Sequence, residues 1–247
     1  MKVLAIETAT PVASVALVDQ GGVSAARTLR APMRHLEWLA AAIDGMLRDM
    51  GTSPEGIEAV AVGQGPGGFT GLRIGIATAA AWARARHVPA LGVGTLETLA
   101  ASAGASGLIF PVLDAHRGEV AAALYRLGQG PEPACVAPAV VAAPDVVVAE
   151  MRSALEGQHA AHRPLVLAGD GLVRHAHVLL TALAGAGIRQ VIERPDAVPS
   201  ADALGRLARP RLLHGARDDA AALLPVYGRR PVARAWQETS GSPGTEA

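Results

Sequence analysis

Residues 63–83, GQGPGGFTGLRIGIATAAAWA, constrain the fold more than any other part of the sequence. They follow the apolar run IEAVAVG, place five glycines within nine residues, and then continue as an apolar stretch. A strand, a glycine-rich turn and a helix in this order are typical of α/β proteins that bind phosphate groups. The first question is therefore whether this loop binds a phosphate.

Two phosphate-binding patterns can be compared with the loop. Gly63, Gly65 and Gly68 satisfy G-x-G-x-x-G, but the following region HVPALGVG lacks the acid that would hold the ribose of a dinucleotide. In the P-loop pattern, Phe69 stands where a lysine contacts the phosphates, and the only lysine of the chain is Lys2. The sequence therefore disfavours both a dinucleotide site and a P-loop ATPase.

Two interpretations of the glycines remain open. The N–H groups at the start of the helix, with Arg73 one turn further on, are able to bind an anion. Alternatively, the glycines only permit a tight crossing from strand to helix, with Phe69 filling the core beneath them and Thr70 capping the helix.

The predicted helix over residues 71–87 is apolar or small on nearly every side, whereas a surface helix normally has a polar face. Gly71, Gly75, Ala79 and Ala83 form a ridge of small residues at i, i+4 spacing, which allows another helix to approach closely. The helix is therefore either buried within a large domain or part of a subunit interface, together with the predicted helix over residues 34–50.

The order of predicted elements in the first half is β-β-β-α-β-α-β-α, a mixed sheet flanked by helices. The second half repeats this order: AIETATPVASVALV aligns with VLDAHRGEVAAALY, which places Glu7 on Asp114, and PLVLAGDGLVRHAHVLLTAL is again a strand, glycine turn and helix. We predict a lobe over residues 1–105, a second lobe over 106–230 whose end returns to the first, and a disordered tail over 231–247. Further helices are predicted from Ser200 to Leu207 and over residues 218–224.

The composition disfavours several classes of function. Lys+Arg and Asp+Glu balance at 22 each, which disfavours a protein that grips nucleic acid by itself. The single Cys135 excludes an internal disulfide and a cysteine-based zinc site and fits the cytoplasm. The longest apolar run is about half of the ~20 residues that span a bilayer, so no membrane association is expected. The histidines, including His159, His162, His175 and His177, do not have the spacing of a zinc site.

Five segments, LAIETATPVASVAL, GQGPGGFTGLRIGIATA, VLDAHRGEVAAALY, AGDG and PVYGRRP, occur in the order of one known family. On these segments the chain resembles the TsaB/YeaZ family, the dimerisation subunit of the bacterial tRNA threonylcarbamoyladenosine system. The resemblance covers residues 1 to about 230. Two departures are Glu7, where Asp is usual, and VYGRR, where Y-L-R is frequent.

The resemblance implies a duplicated, two-lobed α/β fold of the actin/Hsp70/sugar-kinase (ribonuclease H-like) type. It also implies a non-catalytic subunit without a metal or resident cofactor, which pairs with a TsaD-like catalytic subunit and a TsaE-like ATPase. Alone it would form a homodimer, and it would meet tRNA only indirectly, through the complex. The alternative is an enzyme of the same fold, either an ATP-dependent small-molecule kinase or a metalloprotease-like protein.

Two sets of site residues follow. The first set is expected at the interface with a partner, on the two apolar helices: His35, Trp38, Leu39, Ala42, Ile43, Met46, Leu72, Gly75, Ile76, Ala79, Trp82 and Ala83. The second set holds the candidates for contact with an anion or nucleotide, in the turns after the predicted strands and at the start of the second helix: Glu7, Thr8, Thr10, Gly67, Gly68, Thr70, Arg73 and Asp114. No catalytic or metal-binding residue is predicted.

Overall fold

The structure is a computed structural model that describes residues 1–30, 34–128, 130, 132–158 and 164–228. Two five-stranded sheets organise these residues. The first sheet contains β1 (Val3–Glu7), β2 (Val12–Asp19), β3 (Gly22–Arg30), β4 (Ala59–Gly65) and β5 (Ala90–Gly94). The second contains β6 (Gly107–Asp114), β7 (Val120–Leu127), β8 (Ala134–Ala142), β9 (Leu165–Ala168) and β10 (Val191–Arg194).

Seven helices surround the sheets in the described part of the chain. They are α1 (His35–Asp49), α2 (Phe69–Arg86), α3 (Thr95–Ser102), α4 (Pro144–Glu150), α5 (Arg152–Gln158), α6 (Gly171–Gly185) and α7 (Ala201–Leu213), and a short 3-10 turn spans Pro54–Gly56. The longest of them is α2, with 18 residues. None of the helices formed by described residues has the length and hydrophobicity needed to cross a membrane.

The two sheets have the same topology. The order is β3-β2-β1-β4-β5 in the first and, read from the corresponding edge, β8-β7-β6-β9-β10 in the second. In each sheet the first three strands are antiparallel neighbours, and the last two run parallel to the first. The predicted duplication and the two-lobed, ribonuclease H-like fold class are therefore confirmed.

Strand β1 is buried on both faces because helices cover both sides of the first sheet. Successive residues of a strand point to opposite faces. Leu4 and Ile6 accordingly pack with residues of α1 and α2, whereas Val3 and Ala5 pack with residues of α7. The end of the described chain thus returns to the first lobe.

Helix α3 lies between the two sheets. Its residues Leu96 and Leu99 pack with Leu113 of β6, while the helix also contacts β4 and β5. The predicted boundary at residue 105 falls in the connection from α3 to β6. Because α3 contributes to both lobes, the division at this residue stays a prediction.

Three local predictions need correction. The cap of α2 is Gly68, and Thr70 lies inside the first turn of the helix. Helix α7 begins after the predicted cap, Ser200, but continues to Leu213 beyond the expected end. Residues 218–224 contain an isolated bridge at Asp218 and a turn over residues 220–222 instead of a helix. The reason is a tertiary contact: the Asp218 backbone N–H donates a hydrogen bond of 2.8 Å to the carbonyl oxygen of Ala90, which ties this segment to the edge of the first sheet.

The predicted disordered tail, together with His159 and His162, lies outside the described residues.

Candidate functional site

The turn after β1 is closed from within the chain. The Glu7 side chain is completely buried, and its Oε1 accepts a hydrogen bond of 2.8 Å from the Ala9 N–H. Its Oε2 is buried and has no hydrogen-bond partner among the described residues. Burial raises the pKa of Glu7 to about 7, although the backbone hydrogen bond from Ala9 opposes the rise. Glu7 and Thr8 are both fully buried, so a ligand reaches them only if the turn opens.

The turn after β1 packs directly on the glycines around α2, so larger residues do not fit at these positions. A Cβ on Gly63 would collide with the Glu7 carboxylate, and one on Gly71 with the backbone carbonyl oxygen of Thr8. A Cβ on Gly67 would collide with the carbonyl oxygen of Ala9, and one on Gly75 with the hydroxyl of Thr8. Only a residue without a side chain permits such a close approach of two backbones.

Hydrogen bonds reinforce this contact. The Gly68 N–H donates to the carbonyl oxygen of Ala9 at 2.7 Å, and the Thr8 hydroxyl donates to the carbonyl oxygen of Gly71 at 2.9 Å. The Gly65 N–H donates to the Thr95 hydroxyl at 3.1 Å. The amide donors of the loop that would otherwise bind a phosphate are therefore engaged in hydrogen bonds within the chain. We call the contact between residues 7–10 and residues 63–75 the glycine joint.

The second acid turn, at the end of β6, has a different environment. Asp114 Oδ2 accepts a hydrogen bond of 3.1 Å from Arg174, and Oδ1 accepts one of 2.8 Å from the His116 N–H. The Asp114 N–H in turn donates to Asp170 Oδ1 at 3.1 Å. Burial raises the pKa of Asp170. No group of three His, Cys, Asp or Glu side chains in the described ranges is arranged to hold a metal ion.

A small cavity separates the two acid turns. Its volume is about 120 Å³, and its lining includes Thr10, Pro11 and Val12 of the first lobe and Leu113 and Asp170 of the second. Pockets for small molecules typically have volumes of about 300–1,000 Å³. The cavity is therefore smaller than a nucleotide site in the conformation described.

The aromatic ring at the start of α2 is not in the core, which corrects the interpretation of Phe69 as a plug beneath the loop. The Phe69 side chain is 57 % exposed, and its ring stacks on Tyr227 with a centroid distance of 5.3 Å. The Arg73 guanidinium carbon lies 5.0 Å from the same ring centroid. The segment that carries Tyr227 is held by a bond of 2.7 Å from the Val226 N–H to the carbonyl oxygen of Gln64.

Most of the predicted interface residues are buried within the chain, and their contact with a partner stays a prediction. Of the twelve, only Trp38 and Trp82 are half-buried, and the other ten are buried inside the chain itself. Ala79 is 0 % exposed, and His35 Nε2 lies 2.9 Å from the Thr10 carbonyl oxygen, which fixes the ring against the first acid turn. The physical reason is that the apolar faces of α1 and α2 pack on β1, β2 and β4. The buried ten are His35, Leu39, Ala42, Ile43, Met46, Leu72, Gly75, Ile76, Ala79 and Ala83.

The accessible face of α2 includes other small residues besides the exposed Arg73 and Arg84. Ala77, Ala81 and Ala85 are exposed at i, i+4 spacing, and Trp82 lies half-buried beside them. The Trp82 Nε1 atom is buried without a hydrogen-bond partner among the described residues. We call Ala77, Ala81, Ala85 and Trp82 the alanine face. Sequence reasoning missed the three alanines because the helix is apolar or small on nearly all sides.

The anion candidates at the start of α2 form a separate, accessible group. Gly67, Gly68, Thr70 and Arg73 are exposed, whereas Glu7, Thr8 and Thr10 lie buried beneath the joint. Asp114 lies in the other lobe, across the small cavity. The structure thus does not gather the candidates into one site.

Comparison with known proteins gives a consistent result. The family model described as "TsaD: tRNA N6-adenosine threonylcarbamoyltransferase" matches residues 10–202. The tRNA threonylcarbamoyladenosine biosynthesis protein TsaB of Bacillus subtilis is 29 % identical over 242 residues, which cover 97 % of this chain and 99 % of the relative. TsaB of Escherichia coli is 40 % identical over 129 residues, but these cover only 51 % of this chain and 55 % of the relative.

Among solved structures, YeaZ from Pseudomonas aeruginosa superimposes with a TM-score of 0.79 at 27 % sequence identity. The superposition covers 92 % of this chain and 99 % of that structure. The similarity therefore extends over both lobes.

Proposed function

Because the chain belongs to the TsaB/YeaZ family of tRNA threonylcarbamoyladenosine biosynthesis proteins, we propose that it is a non-catalytic subunit that supports a TsaD-like transferase. The transferase modifies the adenosine beside the anticodon, and this chain stabilises and activates it. A TsaE-like ATPase docks on the pair. In the absence of the transferase, two copies of the chain form a homodimer.

The glycine joint is the observation that carries the non-catalytic role. In an enzyme of this fold, the turn after the first strand must be open to the phosphates of a nucleotide. Here the Gly68 amide bonds to Ala9, and the Glu7 carboxyl fills the space beside Gly63. The proposal therefore includes no resident nucleotide and no metal ion.

The alanine face supports the proposed pairing. Small side chains let the backbones of two helices approach closely, and Trp82 supplies a large apolar contact at the centre of the surface. The proposal adds to the interface set predicted from the sequence the exposed residues of α2 that a partner is able to touch. The buried ten keep a supporting role, since they hold α1 and α2 in place.

Substitution on the alanine face tests this proposal. Ala81→Arg places a charged side chain at an exposed position, so the chain still folds but a partner helix is excluded. We expect co-purification with the TsaD-like subunit, and tRNA modification in a strain that depends on this protein, to be lost. Ala184→Arg is the matched control, because Ala184 is an exposed alanine on α6 of the other lobe.

Two outcomes would contradict the proposal. Unchanged co-purification of the Ala81→Arg protein would remove the alanine face as the interface. Stoichiometric binding of ATP with magnesium to the isolated chain, followed by turnover in calorimetry, would indicate a kinase-like enzyme instead of a supporting subunit.

A further inference from the structure

The stack of Phe69, Tyr227 and Arg73 is not used by the proposed interface. Its two rings lie 5.3 Å apart with an angle of 22° between their planes, and the Arg73 guanidinium lies over Phe69. Phe69 is 57 % exposed and Tyr227 is 40 % exposed. Since the chain has only two phenylalanines and two tyrosines, half of these rings meet at one point of the surface.

The stack carries a positive charge, that of Arg73, although the whole chain has no net charge. Of the three arginines between Glu58 and Glu97, Arg73 lies at the stack, whereas Arg84 and Arg86 lie in the last turn of α2. The structure brings Tyr227 beside the start of α2, because the N–H of the preceding Val226 donates to the carbonyl oxygen of Gln64 at 2.7 Å.

This combination fits single-stranded RNA better than a protein. Unpaired bases stack on aromatic rings and on the planar guanidinium of arginine, and arginines neutralise the phosphates between the bases. The loop before the stack is exposed at Gly67 and Gly68, so a sugar-phosphate backbone is able to approach closely. Each nucleotide offers a planar base to the rings and a phosphate to Arg73 at the same time, whereas an unmodified protein partner offers no phosphate.

We propose that the Phe69–Tyr227–Arg73 stack is a contact site for an unpaired base of the tRNA. This inference rests on the proposed function, since that function brings tRNA to the complex, and it adds direct contact where the sequence predicts only an indirect one. The positive charge of Arg73 at the stack lets a chain without net charge contact RNA locally.

The experiment measures binding of an unmodified, fluorescent tRNA transcript to the assembled complex with the TsaD-like subunit. Phe69→Ala and Tyr227→Ala are each expected to weaken binding by about 5- to 100-fold, the range for loss of one base-stacking ring. Tyr227→Phe keeps the ring and should bind as the unchanged protein does. Arg73→Gln should weaken binding more than Arg84→Gln, a matched change of an exposed arginine further along α2.

Two other results of this binding experiment would overturn the proposed contact with tRNA. If Phe69→Ala and Tyr227→Ala bind tRNA within twofold of the unchanged complex, the proposal is overturned. If the same variants instead lose the TsaD-like subunit, the stack is a protein contact, which also overturns it. Failure of the proposed function is distinguishable, because the unchanged chain would then not assemble with that subunit at all. In that case, the same variants are tested for crosslinking of the isolated chain to the transcript by ultraviolet light.

Discussion

The two lobes share one strand order, but the acidic residue at the end of the first strand has a different environment in each lobe. In the first lobe, Glu7 is fully buried, and its partners are backbone groups. In the second lobe, Asp114 is 14 % exposed and pairs with Arg174. One acid thus belongs to a dry contact between backbones, and the other belongs to a charged cluster facing water.

The difference lies in the glycines within and after the fourth strand of each lobe. In the first lobe, Gly63, Gly67, Gly71 and Gly75 are all in contact with the acid turn. In the second lobe, Gly169 and Gly171 contact the strand near Val112 instead, which leaves the acid turn free to hold side-chain partners. The turn after the first strand binds ligands in other proteins of this fold. In this chain the same turn packs against α2, the helix that carries the alanine face, and holds it in place.

The largest effect is expected from filling the glycine joint. Gly71→Ala would drive a methyl group into the Thr8 backbone carbonyl, which cannot rotate away. We expect a loss of at least about 3 kcal/mol in the free energy of unfolding, at the upper end of overpacking costs. Gly171→Ala in the second lobe would place its Cβ 2.7 Å from a methyl group of Val112, and we expect about 1–2 kcal/mol.

Urea unfolding of both variants checks this order. Gly45→Ala, a substitution within α1, is the control. The new Cβ would lie 3.4 Å from the Arg27 side chain of β3, which is flexible. This substitution should stabilise the chain by about 0.5–1 kcal/mol through helix propensity. A smaller loss for Gly71→Ala than for Gly171→Ala would show that the first joint is not the more tightly packed one.

The next effect concerns the charge of the buried acid. Because the folded chain raises the pKa of Glu7 from 4.5 to about 7, it holds the proton more tightly than the unfolded chain does. Stability should therefore fall as the pH rises through this window, by about 3 kcal/mol in total, and level off above it. Glu7→Gln removes the ionisation and should remove this part of the pH dependence.

The measurement is the difference in free energy of unfolding between Glu7→Gln and the unchanged chain, followed from pH 4.5 to pH 8. This difference cancels the titration of all other groups. Gly45→Ala, which keeps Glu7, should run parallel to the unchanged chain over the same range. A constant difference for Glu7→Gln would mean that water reaches the carboxyl and that the joint is open.

The sequence was sufficient to predict the duplication, because the order of strand, acid, turn and helix depends on local patterns. It was not sufficient to identify the exposed face of α2. Periodicity separates an inner from an outer face only when polar residues mark the outer one, and Ala77, Ala81 and Ala85 do not. Which alanines are buried is decided by the sheet beneath them.

Contacts that are distant in sequence account for the other corrections. The exposure of Phe69 depends on Tyr227, and the position of that tyrosine is fixed by a bond between Gln64 and Leu224, 160 residues apart. Likewise, residues 218–224 favour a helix locally, but Asp218 Oδ2 accepts a hydrogen bond of 2.7 Å from the Gly92 N–H at the sheet edge. No local pattern contains this information.

The smallest effect is expected from the ion pair of the second lobe. Arg174→Gln removes the guanidinium that lies 3.1 Å from Asp114, but the Arg174 side chain is 69 % exposed. Water and salt screen such a pair, so the loss should be below about 1 kcal/mol at low ionic strength and should nearly vanish in 1 M salt. The pH-dependent effect of Glu7→Gln, in contrast, should persist in 1 M salt, because it arises from desolvation of a buried group. A salt-independent loss above about 2 kcal/mol for Arg174→Gln would place Asp114 in a dry environment as well. The two acid turns would then differ in their partners but not in their exposure to water.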